Sequence, residues 1–154
     1  MEYVIELIEK RAVPTLHIRK SLSVDDLQVE IGNAFNRIIE YLHDLGVDKD
    51  RIGLAYVAYL HREMSNLKVE IGYIVADEHP NMEDIHFGSI EGGRWVSFIH
   101  KGSYSTLGCG YSVAHKYLSK EELHPTGITY EYYLNTIDDV SEDQLLTKVE
   151  LQIS

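Results

Sequence analysis

The stretch Lys68-Val69-Glu70-Ile71 recurs late in the chain as Lys148-Val149-Glu150-Leu151, and the residues before it recur as well. Working back from the two copies, Gly53-Leu54-Ala55-Tyr56 is answered by Gly127-Ile128-Thr129-Tyr130, and Tyr59-Leu60 by Tyr133-Leu134. Further back, Tyr41-Leu42 is answered by Tyr117-Leu118, and Ile18-Arg19-Lys20 by Ile99-His100-Lys101. Chance can supply one such match. An ordered series whose offset drifts slightly is what a duplicated unit leaves once its loops have changed length. Two copies in one chain imply a pseudo-twofold molecule, with the seam between them as a natural place for a ligand groove.

Periodicity fills in the unit. Residues 3–9 and 12–19 read as strands. Ser23-Val24-Asp25-Asp26 then comes close to a capping box, and Leu27, Ile31, Ala34, Phe35, Ile38, Leu42 and Leu45 follow at helical spacing until Gly46. Strands are expected at 53–60 and 67–75, joined by a polar turn through Glu63-Met64-Ser65-Asn66. The turn-rich Asp77-Glu78-His79-Pro80-Asn81 marks the boundary between copies, at about 1–79 and 80–154. In the second copy, strands at 84–90 and 94–101 flank Gly92-Gly93, a hairpin signal. A helix over 105–119 places Leu107, Tyr111, Ala114 and Leu118 on one face, and strands at 127–134 and 145–153 complete the copy. The fold class is α+β, a single domain of two repeats. Each helix covers one sheet face, and the opposite face is left to solvent, a ligand or another chain.

Composition narrows the function. A hydrophobic content of 44% and a charged content of 25% belong to a globular chain with a real core. No apolar run approaches the roughly 20 residues that span a bilayer, so no membrane role is expected. The acidic start Met1-Glu2-Tyr3-Val4 is unlike a secretory signal, and a single cysteine fits a reducing cytoplasm. A net charge of -11, with 14 scattered Lys and Arg, argues against direct nucleic-acid binding and favours cations. Eight histidines show no metal-ligand spacing, so neither a metal nor another cofactor is expected. Cys109, between Gly108 and Gly110, reads as a packed small residue.

Tyrosine is the unusual residue, with 11 against 3 Phe and 1 Trp. It joins a broad apolar face to one hydroxyl and suits the wall of an amphipathic site. The densest cluster is Tyr130-Glu131-Tyr132-Tyr133-Leu134. On a strand, Glu131 and Tyr133 face one way, while Ile128, Tyr130, Tyr132 and Leu134 face the other. The second set is the more apolar and is expected under the helices, which sends Glu131 to the uncovered face. The counterpart of Glu131 in the first copy is Val57, so the frame holds one central carboxylate. A carboxylate among aromatic rings binds an organic cation through charge and ring faces together, and partial burial suits it to general-base work. Tyr104, in His100-Lys101-Gly102-Ser103-Tyr104, reaches toward the groove. Trp95 and Tyr56 are further wall candidates. Glu70 and Glu150 hold matching places on the same type of face as Glu131.

These residues carry a resemblance. Gly93-Arg94-Trp95-Val96 through His100-Lys101-Gly102-Ser103-Tyr104, then Tyr130-Glu131-Tyr132-Tyr133-Leu134-Asn135, then Leu146-Thr147-Lys148-Val149-Glu150-Leu151 are similar to the GyrI-like small-molecule-binding domains. These include the effector-binding domains of AraC-type and MerR-type regulators. The first copy matches more loosely, at Val69-Glu70-Ile71-Gly72-Tyr73. The resemblance implies tandem strand-helix-strand-strand units, an antiparallel sheet with two helices on one face, and a concave groove between the halves. It implies binding of amphipathic, often cationic or aromatic compounds, with Glu131 as the motif glutamate and Tyr133 as the motif tyrosine. The usual Gly-Pro-Tyr is Gly102-Ser103-Tyr104 here, and the usual Asp-Pro is Thr136-Ile137.

The reading is a cytoplasmic sensor or drug-sequestering module whose partner is a small organic molecule. One alternative is a hydrolase of small electrophiles, with Glu131 as general base and Tyr133 or Tyr104 as proton donor. Another is an inhibitor with a protein partner such as gyrase. The sequence leaves the oligomeric state open.

Overall fold

The first strand of the chain does not pair with the strand that follows it. In the computed structural model, which describes residues 2–63 and 65–154, β1 (Glu6–Lys10) and β2 (Val13–Leu22) are separated by Arg11 and Ala12. Yet β2 pairs antiparallel with β5 (Ile85–Ile90), and β1 pairs antiparallel with β6 (Gly93–Lys101). The chain accordingly divides into an inner unit, Arg11–Gly92, and an outer unit made of the residues up to Lys10 and Gly93–Ser154. The hairpin expected across Gly92-Gly93 is therefore replaced by exchanged pairings. The two compact units divide at Lys10/Arg11 and at Gly92/Gly93. A glycine pair permits a tight turn but does not decide which strands it joins.

In the inner unit the chain runs β2, α1 (Leu27–Asp44), β3 (Ile52–Glu63), β4 (Asn66–Val75) and β5, and the sheet order is β3-β4-β2-β5. Ser23 makes no side-chain cap; its hydroxyl bonds Asp26 across a short 3-10 turn, Val24–Asp26, and α1 starts after it. Gly46, at φ 73°, ends the helix as its position suggests. Ala34, Ile38, Tyr41 and Leu42 bury the inner stripe of α1, and Phe35 packs edge-on against Tyr73 at 5.4 Å. That contact fixes the sheet's parity. Tyr73, Ile71 and Val69 face the helix, together with their partners Leu16, Ile18 and Val57. The polar turn expected at Glu63-Met64-Ser65-Asn66 lies between β3 and β4, with Met64 outside the described residues.

The outer unit lays its strands in the corresponding order, β7-β8-β6-β1, where β7 is Pro125–Tyr133 and β8 is Leu146–Ile153. All its pairs are antiparallel. Its helix α2 (Leu107–Lys120) closes over Val96, Phe98, Val149, Leu151 and Ile153 with Leu107, Ala114 and Leu118. Ser103 does cap here, accepting from the Ser105 N–H, so the polypeptide enters this helix through a fixed turn.

Aligning the units on Ser23 and Ser103, which precede the two helices, sets Ile18 against Phe98. Their ladder partners are Ile71 and Val149, and beyond those Val57 and Glu131. On that alignment Val57 falls at the rung of Glu131, and Tyr59 at that of Tyr133. Glu70, however, corresponds to Lys148, and Glu150 to Gly72. The two Lys-Val-Glu segments recur with the same alternation because a shift by a whole strand period keeps every side chain on its face. Ile18 and Ile99 do not correspond either: Ile18 is fully buried and Ile99 half exposed.

Candidate functional site

The ladder between β7 and β8 decides where Glu131 points. Thr129 lies opposite Leu151, Glu131 opposite Val149 and Tyr133 opposite Thr147. Val149 and Leu151 belong to the core beneath α2, so Glu131 and Tyr133 share the helix-bearing face of the outer sheet. This reverses the expected parity. Tyr130 and Tyr132 turn to the helix-free face, which is also buried, and their ring bodies satisfy it. An apolar count cannot separate two buried faces when tyrosine suits both.

Glu131 is only 7% exposed and meets three tyrosines. The Tyr111 hydroxyl, from α2, donates to Oε2 at 2.5 Å, and the Tyr133 hydroxyl reaches Oε1 at 3.4 Å. Tyr104 packs edge-on against Tyr133 with ring centroids 5.7 Å apart and remains 43% exposed, forming the rim. Burial, and then the charge of Glu131, push the Tyr104 hydroxyl above its ordinary range, so it stays protonated. Phe98 supports Tyr111 from below at 5.9 Å. The turn carrying Tyr104 is anchored by buried His100. Its Nε2 lies 3.0 Å from both the Ser103 carbonyl and the Thr106 hydroxyl, and its Nδ1 lies 2.8 Å from the Tyr3 hydroxyl. The two hydroxyl donors fix the orientation of the Glu131 carboxyl group among the ring faces.

Trp95 stands on the opposite face of the same sheet, opposite Gln152. There the Lys10 ammonium lies 4.7 Å from the Trp95 ring centroid and 5.2 Å from that of Tyr132. It also donates to Glu150 Oε1 at 2.5 Å and to the Tyr132 hydroxyl at 3.0 Å. Tyr130 meets Trp95 edge-on at 5.4 Å and stacks on Tyr132 at 6.0 Å. Trp95 is thus a wall, but of a compartment filled by the chain's own lysine.

Tyr56 and Glu70 form a third cluster, on the helix-free face of the inner sheet. The Tyr56 hydroxyl donates to Glu70 Oε2 at 2.6 Å, and Arg19 Nε donates to Oε1 at 2.9 Å. His17 Nε2 lies 3.9 Å from the same oxygen, with Nδ1 held by Thr15 Oγ1 at 3.1 Å. Burial lowers the His17 pKa and outweighs the upward pull of Glu70; Arg19 and His86 lower it further. Gly72 makes the cluster possible. A Cβ there would stand 2.7 Å from the Leu16 carbonyl and 2.9 Å from the Tyr56 hydroxyl. Glu70 and Glu150 therefore do not share a face type with Glu131, because each lies on the helix-free side of its sheet.

Of the expected site residues, the structure brings together Glu131, Tyr133 and Tyr104, and sets Trp95, Tyr56 and Glu70 elsewhere. Tyr111 was missed as a site residue. The available signal was a tyrosine at a sheet-facing helical position, whose buried hydroxyl needs a partner. Among the described residues no group of three or more His, Cys, Asp or Glu could hold a metal, and no helix is long and apolar enough to cross a membrane.

Comparison with known proteins identifies the family and the fold. Residues 1–154 match the family described as the GyrI-like small molecule binding domain. A comparison with curated protein sequences finds no match. Among solved structures, EcmrR in a DNA complex shows 19% identity over 99% of this chain, with a TM-score of 0.82. This chain spans 57% of that EcmrR chain and 99% of the separately solved EcmrR C-terminal domain, which aligns with a TM-score of 0.76. A hydrolase from Listeria innocua aligns over 97% of this chain and 91% of its own, at 13% identity and a TM-score of 0.67. SAV2435 bound to tetraphenylphosphonium aligns over 100% of this chain and 94% of its own, at 12% identity and a TM-score of 0.62. At these identities the likeness is one of fold.

Proposed function

The chain belongs to the GyrI-like small-molecule-binding domains, and from that premise we propose that it binds a lipophilic organic cation at Glu131, as a cytoplasmic sensor or sequestering module without direct nucleic-acid contact. The observation that carries the reading is the shell around that carboxylate. Hydroxyls of Tyr111 and Tyr133 orient it, and the rings of Tyr104 and Tyr133 lie beside it, with Tyr104 exposed at the rim. The other face of the same sheet supports the chemistry. There Glu150, Trp95 and Tyr132 already hold a cation, the ammonium of Lys10. The tetraphenylphosphonium bound to SAV2435 is a cation of the proposed class. Calorimetric titration with tetraphenylphosphonium and with neutral triphenylphosphine oxide tests the reading. Saturable binding of the cation, with the neutral compound clearly weaker, is expected. Equal affinity for both would remove the role of the charge.

A second reading, hydrolysis of small electrophiles, is favoured by Tyr104. Its hydroxyl is kept protonated beside Glu131, the pairing of acid and base that ring opening needs. Mass analysis of products from strained electrophiles, with Glu131→Gln as control, separates binding from turnover.

A further inference from the structure

The inner unit carries a pocket of opposite character. A cavity of about 210 Å³ opens beside β2 and β4, lined by Arg19, Lys20, Ser21, Leu60, Lys68 and Val69. Three of the chain's 14 Lys and Arg line it, and no acid does, in a protein of net charge -11. A cavity without acids in so acidic a chain is not the average of its surface.

The donors are arranged rather than scattered. Ser21 lies directly opposite Lys68 in the β2–β4 ladder, and Arg19 lies opposite Glu70, one strand period away on the same face. Arg19 and Lys68 are thus diagonal neighbours, a spacing at which two long cationic side chains feel each other. Arg19 is tethered from behind: its Nε is spent on buried Glu70 at 2.9 Å, while its side chain stays 65% exposed. The guanidinium is therefore oriented, and its two terminal nitrogens have no acceptor among the described residues. The same holds for the Lys68 ammonium and the Ser21 hydroxyl. Lys20 turns to the helix-bearing face and pairs with Glu30 at 3.1 Å. Leu60 supplies an apolar wall beside the donors, while the side chain of Val69 is buried on the helix-bearing face.

We propose that this pocket is a second binding site, for a small organic anion whose carboxylate or phosphate group sits between Arg19 and Lys68 and accepts from Ser21. An oxyanion matches the fork geometry of a guanidinium, and it relieves the repulsion between the two cations. The short apolar part of the ligand rests on Leu60. This site is independent of the one at Glu131.

The test uses the whole chain in nuclear magnetic resonance titrations at constant ionic strength, with chloride exchanged for inorganic phosphate in one arm and for benzoate in the other. Saturable shifts of the Ser21, Lys68 and Val69 amides are expected in both arms, tighter for benzoate, which adds the apolar contact. Tighter phosphate would assign the pocket to the headgroup alone and overturn the apolar part of the proposal. Lys68→Gln, at an exposed position, is expected to weaken binding about tenfold, as the loss of one charge-assisted contact does. Lys68→Arg is expected to restore it. Non-saturable shifts, shifts centred elsewhere, or binding unchanged in Lys68→Gln would overturn the site.

Discussion

Glu131 and Glu150 sit on neighbouring strands of one sheet, both almost wholly buried, and face opposite ways. Behind the sheet, Glu150 takes the Lys10 ammonium, with Trp95 and Tyr132 beneath the cation. In front, Glu131 accepts from Tyr111 and Tyr133 beside the half-exposed rim at Tyr104. The ingredients are nearly the same: a carboxylate, aromatic rings and little water. What differs is whether the cation is part of the chain. The rear site is a structural joint that ties β1 to β8 through Lys10. The front site, on our reading, takes its cation from solution. A buried carboxylate therefore says little about role until its partners are known.

The sharpest way to break the comparison is to remove the rear cation. Lys10→Met leaves Glu150 buried without its ammonium, and urea unfolding should show a loss of about 2–4 kcal/mol. A change near zero would show that the joint is not structural. Next in size is Glu131→Gln, which keeps shape and removes charge. It should weaken tetraphenylphosphonium by about 1–3 kcal/mol while sparing the neutral phosphine oxide. Its effect on urea stability should be smaller than that of Lys10→Met; the reverse order would make Glu131 the structural carboxylate. Tyr111→Phe removes one orienting donor and should cost the cation about 1 kcal/mol by calorimetry.

The smallest expected effect concerns the third carboxylate cluster, at Glu70. Burial lowers the His17 pKa in the folded protein, so the unfolded chain takes up this proton first as pH falls. His17 therefore contributes stability that is present above the unfolded value near 6.5 and is lost as pH drops toward the lower folded value. Melting curves on acidification below that point should fall less steeply in His17→Gln than in the wild type. Parallel curves would assign the acid sensitivity to other groups.

Helical spacing located both helices, because Ala34, Ile38 and Leu42 in α1 and Leu107, Ala114 and Leu118 in α2 each form a buried stripe. Alternation located the strands for the same kind of reason. Two things were not legible. The exchange of β1 and β5 depends on which edges meet in space, and no local pattern at Lys10 or at Gly92-Gly93 encodes that. The facing of β7 differs from the expectation because Tyr130 and Tyr132 pack around a buried polar joint instead of beneath α2, the Tyr132 hydroxyl accepting from Lys10 and the Tyr130 ring stacking on that of Tyr132. Glu131, Tyr133 and Tyr104 survived that error because they share one face whichever side it is. Tyr111 did not enter the site, since a helical tyrosine at a core position shows nothing of the carboxylate across from it.

The central claim is that an organic cation sits against Glu131 and the surrounding tyrosine rings. A crystal structure with tetraphenylarsonium, whose arsenic scatters anomalously, tests it directly. The account predicts an anomalous peak beside the Glu131 carboxylate, with phenyl groups packed on Tyr104 and Tyr133. A peak on the Trp95 face in place of Lys10, or ordered cation only at positions remote from Glu131, would contradict it.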